Sequence, residues 1–133
     1  MPEGVGYSGA NSPVSIGNEF NVVQRFAYAY SGPVGVANSE TTVLQATTGN
    51  KLMEAKLQLC YVQVDSNDDM EWQIYLDGVL MAGAKNSDPQ SGSEFDNPLY
   101  LILPPYTTIK VTAKNASSGS TRNMGCLVTG VLY

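Results

Sequence analysis

Residues 70–81 read MEWQIYLDGVLM, and this short stretch contains the strongest structural signal in the chain. Every second residue from Met70 to Leu76 is apolar, as in a strand with one buried face. Asp77 and Gly78 follow directly, and a second apolar run begins after them. Both central residues of a type I′ turn need positive φ, so Asp-Gly between two apolar strands predicts a tight β-hairpin.

Strand-like patterns continue on both sides of this hairpin. Apolar residues alternate or cluster in six further stretches, at 20–30, 41–48, 51–65, 98–103, 107–114 and 124–133. Lys51–Leu59 is also rich in helix-forming residues, but the alternation continues to Val64 and favours a strand. The apolar parity changes at Val62, which predicts a β-bulge. Residues 83–97 are interpreted as a long polar loop, and residues 98–103 as a short buried strand.

The fold class follows from this count of about seven or eight short strands without a convincing helix. Such a pattern predicts an all-β sandwich, jelly roll or small barrel. The 133 residues are enough for one domain with its own core. We expect residues 1–18, rich in Gly, Pro, Ser and Asn, to form an extended N-terminal arm, and residues 19–133 to form a single domain of one of these three kinds.

The N-terminal arm carries four isolated apolar residues that would suit contacts with a neighbouring subunit: Val5, Tyr7, Val14 and Ile16. A short polar segment cannot bury much apolar surface by itself, so such anchors become useful when another surface receives them. A terminus that merely frays would carry the same composition. Both interpretations are open at the level of the sequence.

Composition excludes several functional classes. The chain has no His, a net charge of −5 and only 7 Lys and Arg residues. These values argue against His-dependent catalysis or metal binding and against a dedicated nucleic-acid binder. There is no apolar run of the ~20 residues that a membrane helix needs, and the N-terminus does not resemble a signal peptide. We therefore predict a non-enzymatic protein without a cofactor, bound to neither membrane nor nucleic acid.

The polar candidates for chemistry are weak. Asp65, Asn67 and Asp69 are spaced like the first ligands of a calcium loop, but Met70 and Leu76 stand where the loop needs Gly and Glu. The carboxylates that could be considered for hydrolysis show no informative spacing: Glu54, Glu71, Asp77, Glu94 and Asp96. Asn115-Ala116-Ser117 matches a glycosylation sequon, which also arises by chance.

Cysteine and tyrosine leave alternatives open. Cys60 and Cys126 lie in apolar runs, which favours two buried thiols over a disulfide. The eight tyrosines suit half-buried sheet and interface positions, where ring and hydroxyl both find partners. A sugar-binding platform would instead require an exposed cluster of them.

Three stretches of the C-terminal half carry a resemblance to a known group of proteins. Residues 72–79 (WQIYLDGV), 98–115 (PLYLILPPYTTIKVTAKN) and 126–133 (CLVTGVLY) resemble the small jelly-roll proteins of tailed bacteriophage virions, especially capsid cement (decoration) proteins. Similar domains occur in head fibres and tail-associated proteins.

The resemblance implies that residues 19–133 form a single jelly-roll β-sandwich domain. It further implies a structural virion protein that binds the major capsid protein, often as a homotrimer over the joints between capsid subunits. It also implies a location on the capsid surface after assembly in the host cytoplasm. A receptor- or carbohydrate-binding module of a head fibre or tail is the alternative. The resemblance supplies no catalytic, cofactor or metal residues.

Overall fold

The computed structural model describes residues 18–64, 68–86, 98–117 and 119–133. These residues form strands and connecting turns, with no helix among them. Consequently, no helix in the described ranges could cross a membrane. The strands are β1 (Asn18–Glu19), β2 (Asn21–Val23), β3 (Phe26–Tyr30), β4 (Val34–Val36), β5 (Thr41–Thr47), β6 (Met53–Gln63), β7 (Met70–Leu76), β8 (Val79–Asn86), β9 (Leu99–Leu103), β10 (Thr108–Asn115) and β11 (Arg122–Leu132).

The strands form two sheets that pack face to face as a jelly roll. The five-stranded sheet has the order β1-β5-β10-β7-β8, and the six-stranded sheet has the order β2-β3-β11-β6-β9, with β4 paired to β11. The eight longest strands are therefore divided into two groups of four, with the orders β3-β11-β6-β9 and β5-β10-β7-β8. This order is that of the eight-stranded jelly roll with two Greek keys. The prediction of an all-β sandwich is confirmed.

The core lies between the two sheets and consists of the inward-facing side chains of the long strands. Ile109, Val111 and Ala113 of β10 face inward, as their alternation predicts. Trp72 on β7 is 1% exposed and donates a hydrogen bond from Nε1 to the hydroxyl of Tyr61 on β6, at 3.1 Å. Because β7 and β6 belong to opposite sheets, this pair links the two layers through the core.

The predicted hairpin is confirmed. Asp77 and Gly78 connect β7 to β8 and have φ values of 48° and 82°. Asp77 also accepts a hydrogen bond at Oδ1 from the backbone N–H of Thr108, at 2.9 Å. The predicted bulge is present as well, since Asn123 pairs with Gln63 whereas Met124 pairs with Tyr61, so that Val62 is skipped.

Three local predictions are wrong in whole or in part. Residues 20–30 are not one continuous row, because Gln24 adopts a φ of 55° and reverses the chain between β2 and β3. Residues 83–86 are not loop, since β8 continues through them and pairs with β7. The interpretation of residues 98–103 as a buried strand fails for Leu99, Tyr100 and Ile102, which are exposed on the edge strand β9. It holds for Leu103, which is fully buried.

The two cysteines are not disulfide-bonded. Cys126 pairs with Leu59, and Cys60 pairs with the neighbouring Gly125. Adjacent residues of a strand point to opposite faces, so Cys126 faces the core and Cys60 faces outward. The prediction of two buried thiols is correct for Cys126 and wrong for Cys60, which is half-buried. Desolvation raises the pKa of both thiols.

Candidate interaction surface

The outer face of the six-stranded sheet presents aromatic and aliphatic side chains to solvent. On β3 the small residues Ala27 and Ala29 are fully buried, so the large residues between them point outward. The pairing of β3, β11, β6 and β9 arranges the outward residues in cross-strand rows. The first row consists of Phe26, Val131, Glu54 and Ile102, and the second consists of Tyr28, Thr129, Lys56 and Tyr100.

These two rows form a groove of about 460 Å³, called the outer groove below. Phe26 and Tyr28 on β3 form one wall, and Tyr100 and Ile102 on β9 form the other. The walls are three strand spacings apart, roughly 14 Å between backbones. β11 and β6 supply the floor. The groove is therefore wide enough for an extended peptide, a sugar or the edge of another domain.

The side chains that form the two walls are largely apolar, and a large fraction of their surface is exposed to solvent. Tyr100 is 72% exposed and Ile102 is 56% exposed, with Phe26 and Tyr28 above 40%. Single exposed apolar residues are ordinary, but a contiguous patch of them marks an interaction site in a soluble protein. Tyrosine is also enriched at protein interfaces, because its ring buries a large area while its hydroxyl keeps a polar partner.

Few charges interrupt the groove. Lys56 in the floor is half-buried. At one end Glu54 accepts a hydrogen bond from the Tyr133 hydroxyl, and this bond, together with the negative charge of Glu54, raises the pKa of Tyr133. Arg25 lies over the Tyr133 ring, 5.5 Å from its centroid. Glu54 is thus engaged within the protein, which leaves Lys56 as the cation that faces an occupant of the outer groove.

The opposite face of the molecule carries a carboxylate held in its charged form. The Oε2 atom of Glu40 accepts hydrogen bonds from the hydroxyls of Thr112, at 2.5 Å, and Tyr75, at 2.6 Å. These bonds, the one from Thr112 first, lower the pKa of Glu40. A general acid needs a carboxyl with a raised pKa, so Glu40 has the opposite character.

This carboxylate predicts a measurable acid sensitivity. A carboxyl whose pKa is lowered by folding adds stability above its unfolded pKa, and the added stability is lost as the pH falls through the folded pKa. Between about pH 5 and about pH 3 the wild type should therefore lose more stability than Glu40→Gln. Urea unfolding at several pH values measures the difference. Parallel curves for the two proteins would contradict this assignment.

Among the described residues, the other acidic candidates from the sequence do not come together as a metal site. Asp68 is buried and paired with Arg122, while Asp69 lies 3.7 Å from the ammonium of Lys85. Asp65, Asn67, Glu94 and Asp96 lie outside the described residues. Within residues 18–64, 68–86, 98–117 and 119–133 there is no group of three or more acidic or cysteine side chains that could hold a metal ion.

The sequon asparagine is not available for modification in the folded protein. Asn115 is fully buried, and its Nδ2 donates a hydrogen bond to the carbonyl of Ser120, at 3.2 Å. Its Oδ1 accepts hydrogen bonds from the backbone N–H and the hydroxyl of Ser117. The match of Asn115-Ala116-Ser117 to the sequon is therefore explained by a structural role for Asn115.

The residues predicted from the sequence as a binding site differ from those of the outer groove. Val5, Tyr7, Val14 and Ile16 of the arm lie outside the described residues, so that hypothesis remains a prediction. The outer groove was missed, although two signals pointed to it. The aromatics of β3 alternate with alanines, and the prolines at 98, 104 and 105 are typical of an edge strand.

Comparison with known proteins concerns the fold. No family model and no curated protein matches the sequence. Among solved structures, the VP2 subviral particle of infectious bursal disease virus matches with a TM-score of 0.50 and 14% identity, over 81% of this chain and 33% of that chain. The Gx strain of the same virus gives a TM-score of 0.51 and 15% identity, over 80% and 32%. In fold, the chain is similar to a viral capsid protein.

The chain spans about a third of the length of these capsid chains. A weaker match, with a TM-score of 0.44 and 12% identity over 76% of this chain and 19% of that chain, is the insecticidal delta-endotoxin Cry8Ea1 of Bacillus thuringiensis. At these identities the similarity describes the jelly-roll architecture.

Proposed function

We propose that this protein is a non-enzymatic structural component of a virion. In this proposal it is a capsid cement (decoration) protein of a tailed bacteriophage that binds the outer surface of the major capsid lattice and stabilises the particle. The observation that carries the proposal is the exposed aromatic face of the six-stranded sheet, centred on Tyr28 and Tyr100. The fold similarity to viral capsid proteins supports it.

The physical properties of the surface suit this role. The outer groove is mostly apolar, so docking it on a lattice removes hydrocarbon from water and desolvates few ions. Each contact can be weak if several copies act together, because linked binding sites gain avidity. We accordingly propose a homotrimer, in which three equivalent faces engage neighbouring capsid subunits. The N-terminal residues Val5, Tyr7, Val14 and Ile16 would add anchors to these subunits.

The test uses shells assembled from the major capsid protein alone. Purified full-length protein should co-sediment with the shells to a saturating ratio and raise the temperature at which they fall apart. Light scattering of the free protein should give the mass of three chains. If the protein does not bind the shells, or binds without changing their stability, the cement role is wrong.

A carbohydrate-binding role is the second candidate, and one observation favours it. Tyr28 and Tyr100 stand in the same cross-strand row on opposite walls of the groove, with Thr129 and Lys56 between them. Aromatic rings beside polar groups can bind a sugar ring, since its C–H faces are apolar and its edges are hydroxylated. A glycan array separates the candidates: selective glycan binding that Tyr100→Ala abolishes would support this role, and an empty array would oppose it.

A further inference from the structure

We infer that, in the free protein, the outer groove is occupied by residues Glu3–Tyr7 of the same chain. This inference does not depend on the proposed virion role, because it concerns the isolated protein. It rests on the position of Asn18, on the pattern of residues 3–7 and on the charges of the groove.

The N-terminal segment is long enough to reach the outer groove. The structure describes the chain from Asn18, and Asn18 lies in β1, which is followed after one residue by β2. β2 pairs with β3, the strand that forms one wall of the groove. The groove floor is thus two to three strand spacings from β2, roughly 10–14 Å. Asn18 itself lies in the five-stranded sheet, so the connection must also cover the spacing of ~10 Å between the two sheets. The about eleven residues from Tyr7 to Asn18 can span up to ~36 Å, which exceeds the sum of these distances.

The residue pattern of the segment matches the spacing of the groove. Glu3, Val5 and Tyr7 occupy alternate positions, with Gly4 and Gly6 between them. In an extended conformation the three side chains share one face and repeat every ~6.8 Å. The cross-strand rows of the groove are two residues apart along each strand and therefore have the same spacing. The glycines leave the other face of the segment without side chains, which suits a strip of chain lying on a sheet.

The charge of the segment is complementary to that of the groove floor. Glu3 is the single charged side chain in residues 1–17, and Lys56 is the cation of the groove floor, where Glu54 is already engaged by Tyr133. Pairing Glu3 with Lys56 in the second row brings Val5 over the first row, between Phe26 and Ile102. Tethering also favours the chain's own segment over a second copy, because a short linker gives an effective concentration in the millimolar range.

Disulfide trapping in the full chain tests the inference. In a Cys60→Ser background, which leaves Cys126 inside the core, the test protein carries Val5→Cys with Ile102→Cys. The control carries Val5→Cys with Val79→Cys. Val79 is 60% exposed, close to the 56% of Ile102, but it lies on the other sheet. Mild oxidation with copper phenanthroline should give an intramolecular disulfide in the test protein at least about tenfold faster than in the control, visible as a monomer of increased gel mobility.

Two outcomes would overturn the inference. Covalent dimers would show that the segment of a second copy occupies the groove, and equal rates in test and control would show that the segment does not dwell there. An independent readout uses Val5→Ser with Tyr7→Ser and an environment-sensitive apolar dye. Uncovering the groove should raise dye fluorescence several-fold over the wild type, and adding Tyr100→Ala should reverse the increase. Unchanged fluorescence would also contradict the inference.

Discussion

Replacing Trp72 with alanine will lower the free energy of unfolding by about 3–5 kcal/mol, the largest effect of any single substitution considered for this fold. Trp72 is 1% exposed and lies edge-on to Tyr61, with ring centroids 6.1 Å apart. The truncation leaves a cavity between the sheets and removes the hydrogen bond to Tyr61. Small domains are stable by only about 5–15 kcal/mol, so the variant will be marginal at best.

Urea unfolding measures this loss, and two milder variants separate its causes. Trp72→Phe keeps most of the ring volume but removes the Nε1 donor. Tyr61→Phe keeps both rings and leaves the buried Nε1–H without its partner, which costs about 1–3 kcal/mol. The order of stability should be wild type, then the two Phe variants, then Trp72→Ala. A loss below about 1 kcal/mol for Trp72→Ala would contradict the assignment of this pair to the core.

The second large effect is expected at Gly130. A Cβ at this position would lie 2.5 Å from the Glu54 carbonyl oxygen and 2.6 Å from the Met53 Cε atom. The carbonyl belongs to the backbone of β6, so relief requires β11 and β6 to separate. Gly130→Ala should therefore destabilise the protein by about 1–3 kcal/mol, as overpacking of a core does.

The matched control lies on the same strand. At Gly125 the nearest atom to an added Cβ is the Gly32 carbonyl oxygen, at 3.5 Å, which is an ordinary contact. Gly125→Ala should change stability far less than Gly130→Ala in the same thermal or urea assay. Gly130 and Glu54 both line the outer groove, on the neighbouring strands β11 and β6. Gly130→Ala should therefore also lower the affinity of any ligand that binds in the groove. Equal stability of the two variants would contradict the close packing of β11 on β6.

Much of the fold could be predicted from the sequence, because the signals were local. The Asp77-Gly78 turn specifies its own backbone angles, and the alternation of Ile109, Val111 and Ala113 indicates which face of β10 is buried. The bulge at Val62 was visible as a change of parity. These features depend on residues close together in the chain.

The parts that could not be predicted depend on contacts between distant residues. The alternation on β3 shows that Phe26 and Tyr28 lie on the same face of the strand, but it does not show whether that face points to the core or to solvent. The direction depends on the space that the opposite sheet leaves for side chains. The same holds for β9, whose apolar sequence suits a buried strand until the topology places it at an edge. Gly130 carried a signal that was not used: glycine inside a strand often marks close backbone approach.

The outer groove follows from the same topology. The groove is formed by β3, β11, β6 and β9. These strands are far apart in sequence, so no local sequence motif predicts the groove. What the sequence does contain is its chemistry: few charges, many tyrosines and no His. Those properties are consistent with recognition by shape and apolar contact. The prediction of a structural virion protein rests on the resemblance of residues 72–133 to phage virion proteins, and the composition only agrees with it.

The most direct test of this account measures the affinity of full-length variants for shells of the major capsid protein. Tyr100→Ala removes an exposed ring from the groove wall, and Leu80→Ala removes an exposed side chain from β8 on the other sheet. Sedimentation should show affinity reduced by about tenfold or more for Tyr100→Ala, as at an interface hot spot, and changed less than about twofold for Leu80→Ala. Equal binding of the two variants, or a larger loss for Leu80→Ala, would contradict the assignment of the outer groove as the binding face.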